Sequence, residues 1–185
     1  MKKFFTTIAI FIICLTSTAL AATQNSYKDQ TIAVVIVGTP DYKTDNYVRY
    51  AKEYFEEANV NKNLTILSGN DVQSKYQTYW LEKGLLDEGT PTKQDFIDFV
   101  SYGNYDKAIY LVVKDPVIDV HNRKSKQRTR ASVTVNAFLV DENQIIKVAS
   151  STNENDSKTS ELRAKRGAFK QCVRDISEVI NPLLK

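Results

Sequence analysis

Two uninterrupted runs of β-branched and aliphatic residues constrain this chain more than any other feature: Ile32-Ala33-Val34-Val35-Ile36-Val37 and Ala108-Ile109-Tyr110-Leu111-Val112-Val113. Neither alternates apolar with polar. A strand written this way must be covered on both faces, because one face left in water would carry polar side chains at every second position. The chain therefore has to supply helices for both sides of a sheet.

The sequence between and after these runs supplies them. Asp45 or Asn46 caps a helix in which Val48, Ala51, Tyr54, Phe55 and Ala58 recur at helical spacing. Leu64, Ile66 and Leu67 make a short strand between the turn-rich segments 61–63 and 68–71. Asp71 opens a second helix with Val72, Tyr76, Tyr79, Trp80 and Leu81 on its buried side and Gly84 as its stop. After the break at Gly89-Thr90-Pro91, Thr92 caps a third helix whose apolar face is Phe96, Ile97, Phe99 and Val100.

In the second half, Val117 to Val120 extend the second strand beyond Pro116, and a basic segment from His121 to Arg130 follows. In the next stretch, Val133, Val135, Ala137 and Leu139 alternate with Ser132, Thr134, Asn136 and Phe138, the period of a two-faced strand. Asp141 to Gln144 is a hairpin turn, Ile145 to Ser150 the returning strand, and Ser151 to Ser160 a polar loop. Leu162, Phe169, Cys172, Val173, Ile176, Val179 and Ile180 trace one face of a final helix that Pro182 closes. The reading is α/β: one mixed sheet of about five strands and about four helices, in the order β-α-β-α-α-β-β-β-α.

The amino terminus sets the compartment. Lys2 and Lys3 precede an apolar run from Phe4 to Leu15, and Ala19-Leu20-Ala21 gives the small residues of a cleavage site. The run is shorter than the roughly 20 residues of a membrane-spanning helix. Residues 1–21 therefore read as a cleaved secretory signal peptide, 22–30 as a polar leader and 31–185 as a single domain, soluble in the periplasm or outside the cell. Ile13 is too bulky for the position before a lipid-modified cysteine, so Cys14 belongs to the apolar run. Of the net charge of +3, Lys2 and Lys3 supply two, so global charge argues for neither nucleic acid nor membrane as a partner. After cleavage Cys172 is the one remaining cysteine, which excludes an intramolecular disulfide and suits a buried thiol on the last helix.

Chemistry is harder to find. Gly38-Thr39-Pro40-Asp41 lies where open α/β sheets bind ligands, yet the proline removes a donor and no phosphate-loop lysine follows. His121 is the single histidine, too few for a histidine-based zinc site, and lies in a charged segment. Asp115 with Asp119, and Asp95 with Asp98, read as solvated surface carboxylates. The one local concentration of charge is Arg123, Lys124, Lys126, Arg128 and Arg130, which reads first as a hairpin tip kept soluble by charge, with a surface for an anion or a protein partner as the functional alternative. The tyrosines of the first two thirds are either a recognition surface or half-buried edges of helices and strands. No cofactor or metal is expected.

Several local patterns resemble the domain shared by the curli secretion subunit CsgG, the amino-terminal domain of TolB, the penicillin-binding-protein activator LpoB and auxiliary components of envelope transporters. Ile32 to Val37 is similar to that family's first strand, and Val72 through Leu85 to its second helix and Glu-x-Gly turn. Tyr105-Asp106-Lys107-Ala108-Ile109-Tyr110 and Val140-Asp141 followed by Ile145-Ile146 resemble its later strands. Lys114-Asp115-Pro116 and Asn143-Gln144 depart from it, replacing a glycine and a Thr-Gly turn. The resemblance implies a non-enzymatic envelope domain that binds other proteins; a second copy of the chain is a further candidate partner. It does not imply a pore, because the segment from His121 to Arg130 is too polar to face lipid. The alternative is a small exported hydrolase with a site near Gly38 and Asp41.

Overall fold

The structure is a computed structural model, and it describes residues 30–57, 63–84, 91–123 and 126–184. The signal segment, Ala58, Gly89-Thr90 and Lys124 lie outside these residues. The chain runs β1 (Gln30–Val37), a 3-10 turn (Pro40–Lys43), α1 (Asp45–Glu57), β2 (Leu64–Leu67), α2 (Asn70–Glu82) and α3 (Lys93–Gly103). It continues through β3 (Lys107–Val113), β4 (Val117–Arg123), β5 (Lys126–Asp141), β6 (Ile145–Ser157) and α4 (Glu161–Ile180). The expected mixed sheet is present, with six strands and four helices among the described residues.

β1 lies between β2 and β3, parallel to both, and β5 joins β3, β4 and β6 in antiparallel pairs. Both faces of the central strands are covered, as the unbroken aliphatic runs demand. On one side Ile32, Val34, Ile36, Ile109 and Leu111 pack with Tyr47, Ala51 and Phe55 of α1 and Phe169, Cys172 and Ile176 of α4. On the other, Ala33, Val35, Ala108 and Tyr110 pack with Val72 and Tyr76 of α2 and Phe96 and Phe99 of α3. Burying each large side chain contributes about 1.5–3 kcal/mol, and these two layers are where the fold is held.

Local chemistry places the helices. Thr92 caps α3 through a reciprocal box: its Oγ1 accepts from Asp95 N at 3.3 Å while Asp95 Oδ2 accepts from Thr92 N at 2.8 Å. Ser160 Oγ accepts from Arg163 N at 3.3 Å and starts α4. At the end of β1 the chain turns at Gly38, whose φ is 148° and where an added Cβ would stand 2.8 Å from the Val113 carbonyl oxygen. Only glycine fits that approach.

β2 is too short to accompany β1 to its end: its last partner is Ala33, opposite Leu67. A side chain takes over where the strand stops. Gln73 of α2, 7 % exposed, donates from Nε2 to Ile36 O at 3.0 Å and accepts from Ile36 N at 3.4 Å. Its amide mimics a peptide group and completes the ladder that β2 leaves unfinished.

Four sequence readings need correction. The segment from Ser151 is not a loop; β6 continues to Ser157, because Ser151 and Asn153 face α4, where Ser151 Oγ and Asn153 Nδ2 donate to Asp175 Oδ2 at 3.0 and 2.7 Å. The segment from His121 to Arg130 belongs to β4 and β5 apart from residues 124 and 125, which lie outside the described residues. Leu81, Leu162 and Val179 are exposed, since the buried stripes of α2 and α4 are narrower than the periodicity suggested. Tyr42, Tyr47, Tyr76, Tyr79 and Tyr110 are buried rather than half-buried, and burial raises each phenol's pKa, that of Tyr79 to about 12.

Candidate docking surface on the distal hairpin

β3 and β4 lie end to end along one side of β5. β3 pairs with β5 from Lys107 opposite Asp141 to Val113 opposite Val135, and β4 resumes at Val117 opposite Ser132. The interruption is Lys114-Asp115-Pro116, where Lys114 N still donates to Thr134 O at 3.0 Å. Proline has no amide hydrogen to give the ladder, so the strand breaks there without changing direction. Val117 to Val120 do extend the strand, as the sequence suggested.

The cover ends before the strand does. β1 accompanies β3 as far as Val37 opposite Val112, and among the described residues no strand lies on the outer side of β4. Val117 is 71 % exposed and Val120 55 %. β4 is thus an open edge with apolar side chains on it, the arrangement that proteins otherwise shield with charge, proline or a covering element.

Directly paired residues of antiparallel strands share a face, so the register assembles the charges. Asp119, Arg130 and Asp156 form one rung across β4, β5 and β6, and His121 lies opposite Arg128. Arg130 Nε reaches Asp156 Oδ1 at 3.1 Å and its NH1 approaches Glu154 Oε2 at 3.8 Å. The hydrogen bond from Arg130 lowers the Asp156 pKa and, reciprocally, raises that of Arg130. His121 stands between two carboxylates, with Nδ1 3.7 Å from Asp119 and Nε2 3.8 Å from Asp156. It is held on a strand.

Of the basic residues singled out in the sequence, Arg128 and Arg130 therefore share a face with Asp119, Glu154 and Asp156, which makes it a surface of alternating charge. Arg123 and Lys126 close the hairpin as register partners. Their side chains, and all of Lys124, lie outside the described residues. Asp115 and Asp119 do not share a strand: Asp115 is in the break and Asp119 on β4. Asp95 caps α3, and Asp98 accepts from Gln94 at 2.7 Å and Lys83 at 3.3 Å, bonds that lower its pKa.

Two other places could have held chemistry. At the end of β1, Asp41 Oδ2 lies 3.7 Å from Lys165 Nζ, whose pKa is raised chiefly by its 2.6 Å bond to Glu161. The single histidine is on β4, so no histidine base is paired with a nucleophile there. At the opposite end of the sheet a hollow of about 480 Å³ is lined by Thr31, Tyr105, Asp106, Asp141 and Glu142. Its carboxylates build the fold: Asp106 Oδ2 accepts from Thr31 N and Oγ1 at 2.8 and 3.0 Å, and Asp141 Oδ1 accepts from Asn143 N and Gln144 N at 2.8 Å. Among the described residues no three His, Cys, Asp or Glu side chains converge to hold a metal ion, and no helix is long and apolar enough to cross a membrane. Cys172 is buried, donating to Val133 O at 3.2 Å, and burial raises its thiol pKa.

No family model matches the sequence, and no curated protein matches it. Among solved structures it is similar to a hypothetical protein from Chlamydia trachomatis, at 10 % identity over 83 % of this chain and 96 % of that one, with a TM-score of 0.44. It is similar to a lipoprotein from Neisseria meningitidis at 17 % identity over 84 % and 98 %, TM-score 0.42. It is also similar to the PelC dodecamer from Paraburkholderia phytofirmans at 15 % identity over 85 % and 88 %, TM-score 0.40. None of these three is described as a CsgG, TolB or LpoB protein.

Proposed function

We propose that this chain is an exported, non-enzymatic binding or assembly module of the bacterial cell envelope, and that it docks other proteins along the outer edge of β4. The open edge carries the reading. β4 continues past the end of β1, offers unpaired backbone donors and acceptors, and displays Val117 and Val120 to solvent. A strand in that condition is a template for another strand, and main-chain pairing along it is a general mode of peptide recognition. The secretory signature of residues 1–21 supports an envelope location. Asp106 and Asp141 beside the hollow are bound to backbone donors, and Asp41 at the end of β1 faces Lys165, which favours the surface as the feature with work to do.

The test is native affinity capture from an envelope extract, comparing the parent with a Val120→Lys variant. A lysine on an exposed edge disfavours strand pairing without touching the core. The parent should retain a specific partner and Val120→Lys should lose it while keeping its circular dichroism spectrum and melting temperature. Equal recovery by both proteins would move the surface elsewhere, and recovery of nothing specific by the parent would overturn the proposal.

A further inference from the structure

The side chains along β4 also say what kind of strand would dock there; this rests on the proposed docking role of that edge. Residues alternate between two faces. On the side toward α4 stand Ile118, half-buried beside Ala131, and Val120, exposed opposite Thr129. On the other side stands Asp119, with its side chain 64 % exposed.

Asp119 differs from its neighbours in how its charge is met. Asp156 and Glu154 are both engaged by Arg130, whose guanidinium is turned toward β6. Asp119 lies 3.7 Å from His121 Nδ1, and its cross-strand partner Arg130 feels its charge without contact: among the described residues no lysine or arginine lies within ion-pair distance of it. The outermost strand thus carries two apolar positions flanking an exposed carboxylate that no guanidinium of the described residues contacts directly. We infer that the segment received by β4 is an extended strand of apolar-basic-apolar sequence, its apolar residues beside Ile118 and Val120 and its lysine or arginine beside Asp119. A directly opposed pair of opposite charges in a sheet contributes up to about 1 kcal/mol, and a like pair is destabilising.

Two ten-residue threonine-based peptides test this, one with Val-Lys-Val at its centre and one with Val-Glu-Val. Each is titrated into ¹⁵N-labelled protein while amide shifts are followed. Shifts should concentrate on Val117 to Asn122, and the lysine peptide should bind up to about fivefold more tightly than the glutamate peptide, the factor of an ion pair of that size. The preference should shrink at high salt and reverse in Asp119→Lys, a surface change that leaves the core intact. If neither peptide moves the β4 amides, the docking role itself falls. If both bind alike, or Asp119→Lys leaves the order unchanged, the edge docks strands but the assignment of a basic residue falls. Concentration-dependent broadening of β4 amides without peptide would assign the edge to a second copy of this chain and overturn the inference.

Discussion

Replacing Gln73 by leucine tests whether a side-chain amide really stands in for the missing end of β2. The substitution nearly conserves volume at a buried position, and what disappears is the pair of bonds to Ile36. The N–H and C=O of Ile36 are both buried and the residue itself is 1 % exposed, so water cannot replace the amide. An orphaned buried donor or acceptor costs about 1–3 kcal/mol. The 3.0 Å bond counts fully and the 3.4 Å bond at the low end, which gives a loss of about 2–4 kcal/mol. Urea denaturation followed by circular dichroism measures it, with an unchanged slope expected because the same surface is exposed on unfolding. Gln77→Leu, on the exposed side of the same helix, should change stability by less than about 0.5 kcal/mol. A Gln73→Leu protein as stable as its parent would refute the reasoning, since the Ile36 peptide would then be satisfied without the amide.

Three further outcomes follow from the contacts. Thr92→Ala removes the side-chain half of the α3 capping box, the Oγ1 that accepts from Asp95 N, while the bond from the residue 92 backbone N to Asp95 stays, and should cost about 1 kcal/mol in the same urea assay. The Asp175 carboxylate is held below its ordinary value near 3.8, first by Asn153 and then by Ser151, so the stability it contributes is present above that value and lost as pH falls through its lowered folded-state pKa. Asp175→Asn should therefore destabilise the protein at neutral pH and flatten the acid limb of a pH titration of melting temperature, the difference between the two proteins shrinking as pH falls through the lowered folded-state value. Cys172, buried with a raised thiol pKa, should resist alkylation by iodoacetamide at pH 8 in the native state and react on addition of urea.

Much of the architecture is written locally. The runs at Ile32 and Ala108 announce strands covered on both faces, and they are covered by α1 and α4 on one side and α2 and α3 on the other. Thr92 with Asp95 declares the start of α3, and Asp141 to Gln144 the hairpin. What escaped local reading depends on contacts distant in sequence. β6 looks like a loop beyond Ser150 because Ser151 and Asn153 satisfy Asp175 on α4, a partner more than twenty residues away. The hairpin from His121 to Arg130 looks like a polar linker because β1 and its helices stop short of it, so neither of its faces needs an apolar pattern.

The candidate surface was legible in its charges and not in its geometry. Arg128 and Arg130 stand out as a basic run, but the sequence does not say that β6 returns Glu154 and Asp156 to meet Arg130 on the same face. Nor does it say that β4 runs past the end of β1. That follows from the register of Val37 with Val112, a property of the assembled sheet. Gln73 carried one faint signal, a polar residue directly beside Val72 on the stripe that also carries Tyr76, and only the length of β2 explains it.

Placing a photoreactive amino acid at position 120 in cells that produce the protein tests the open edge of β4 most directly, with position 81 on the exposed side of α2 as the reference. Illumination should give a discrete, heavier adduct from position 120 and none from position 81. An adduct at position 81 alone, or none at position 120, would contradict the claim that this chain acts through the edge of β4.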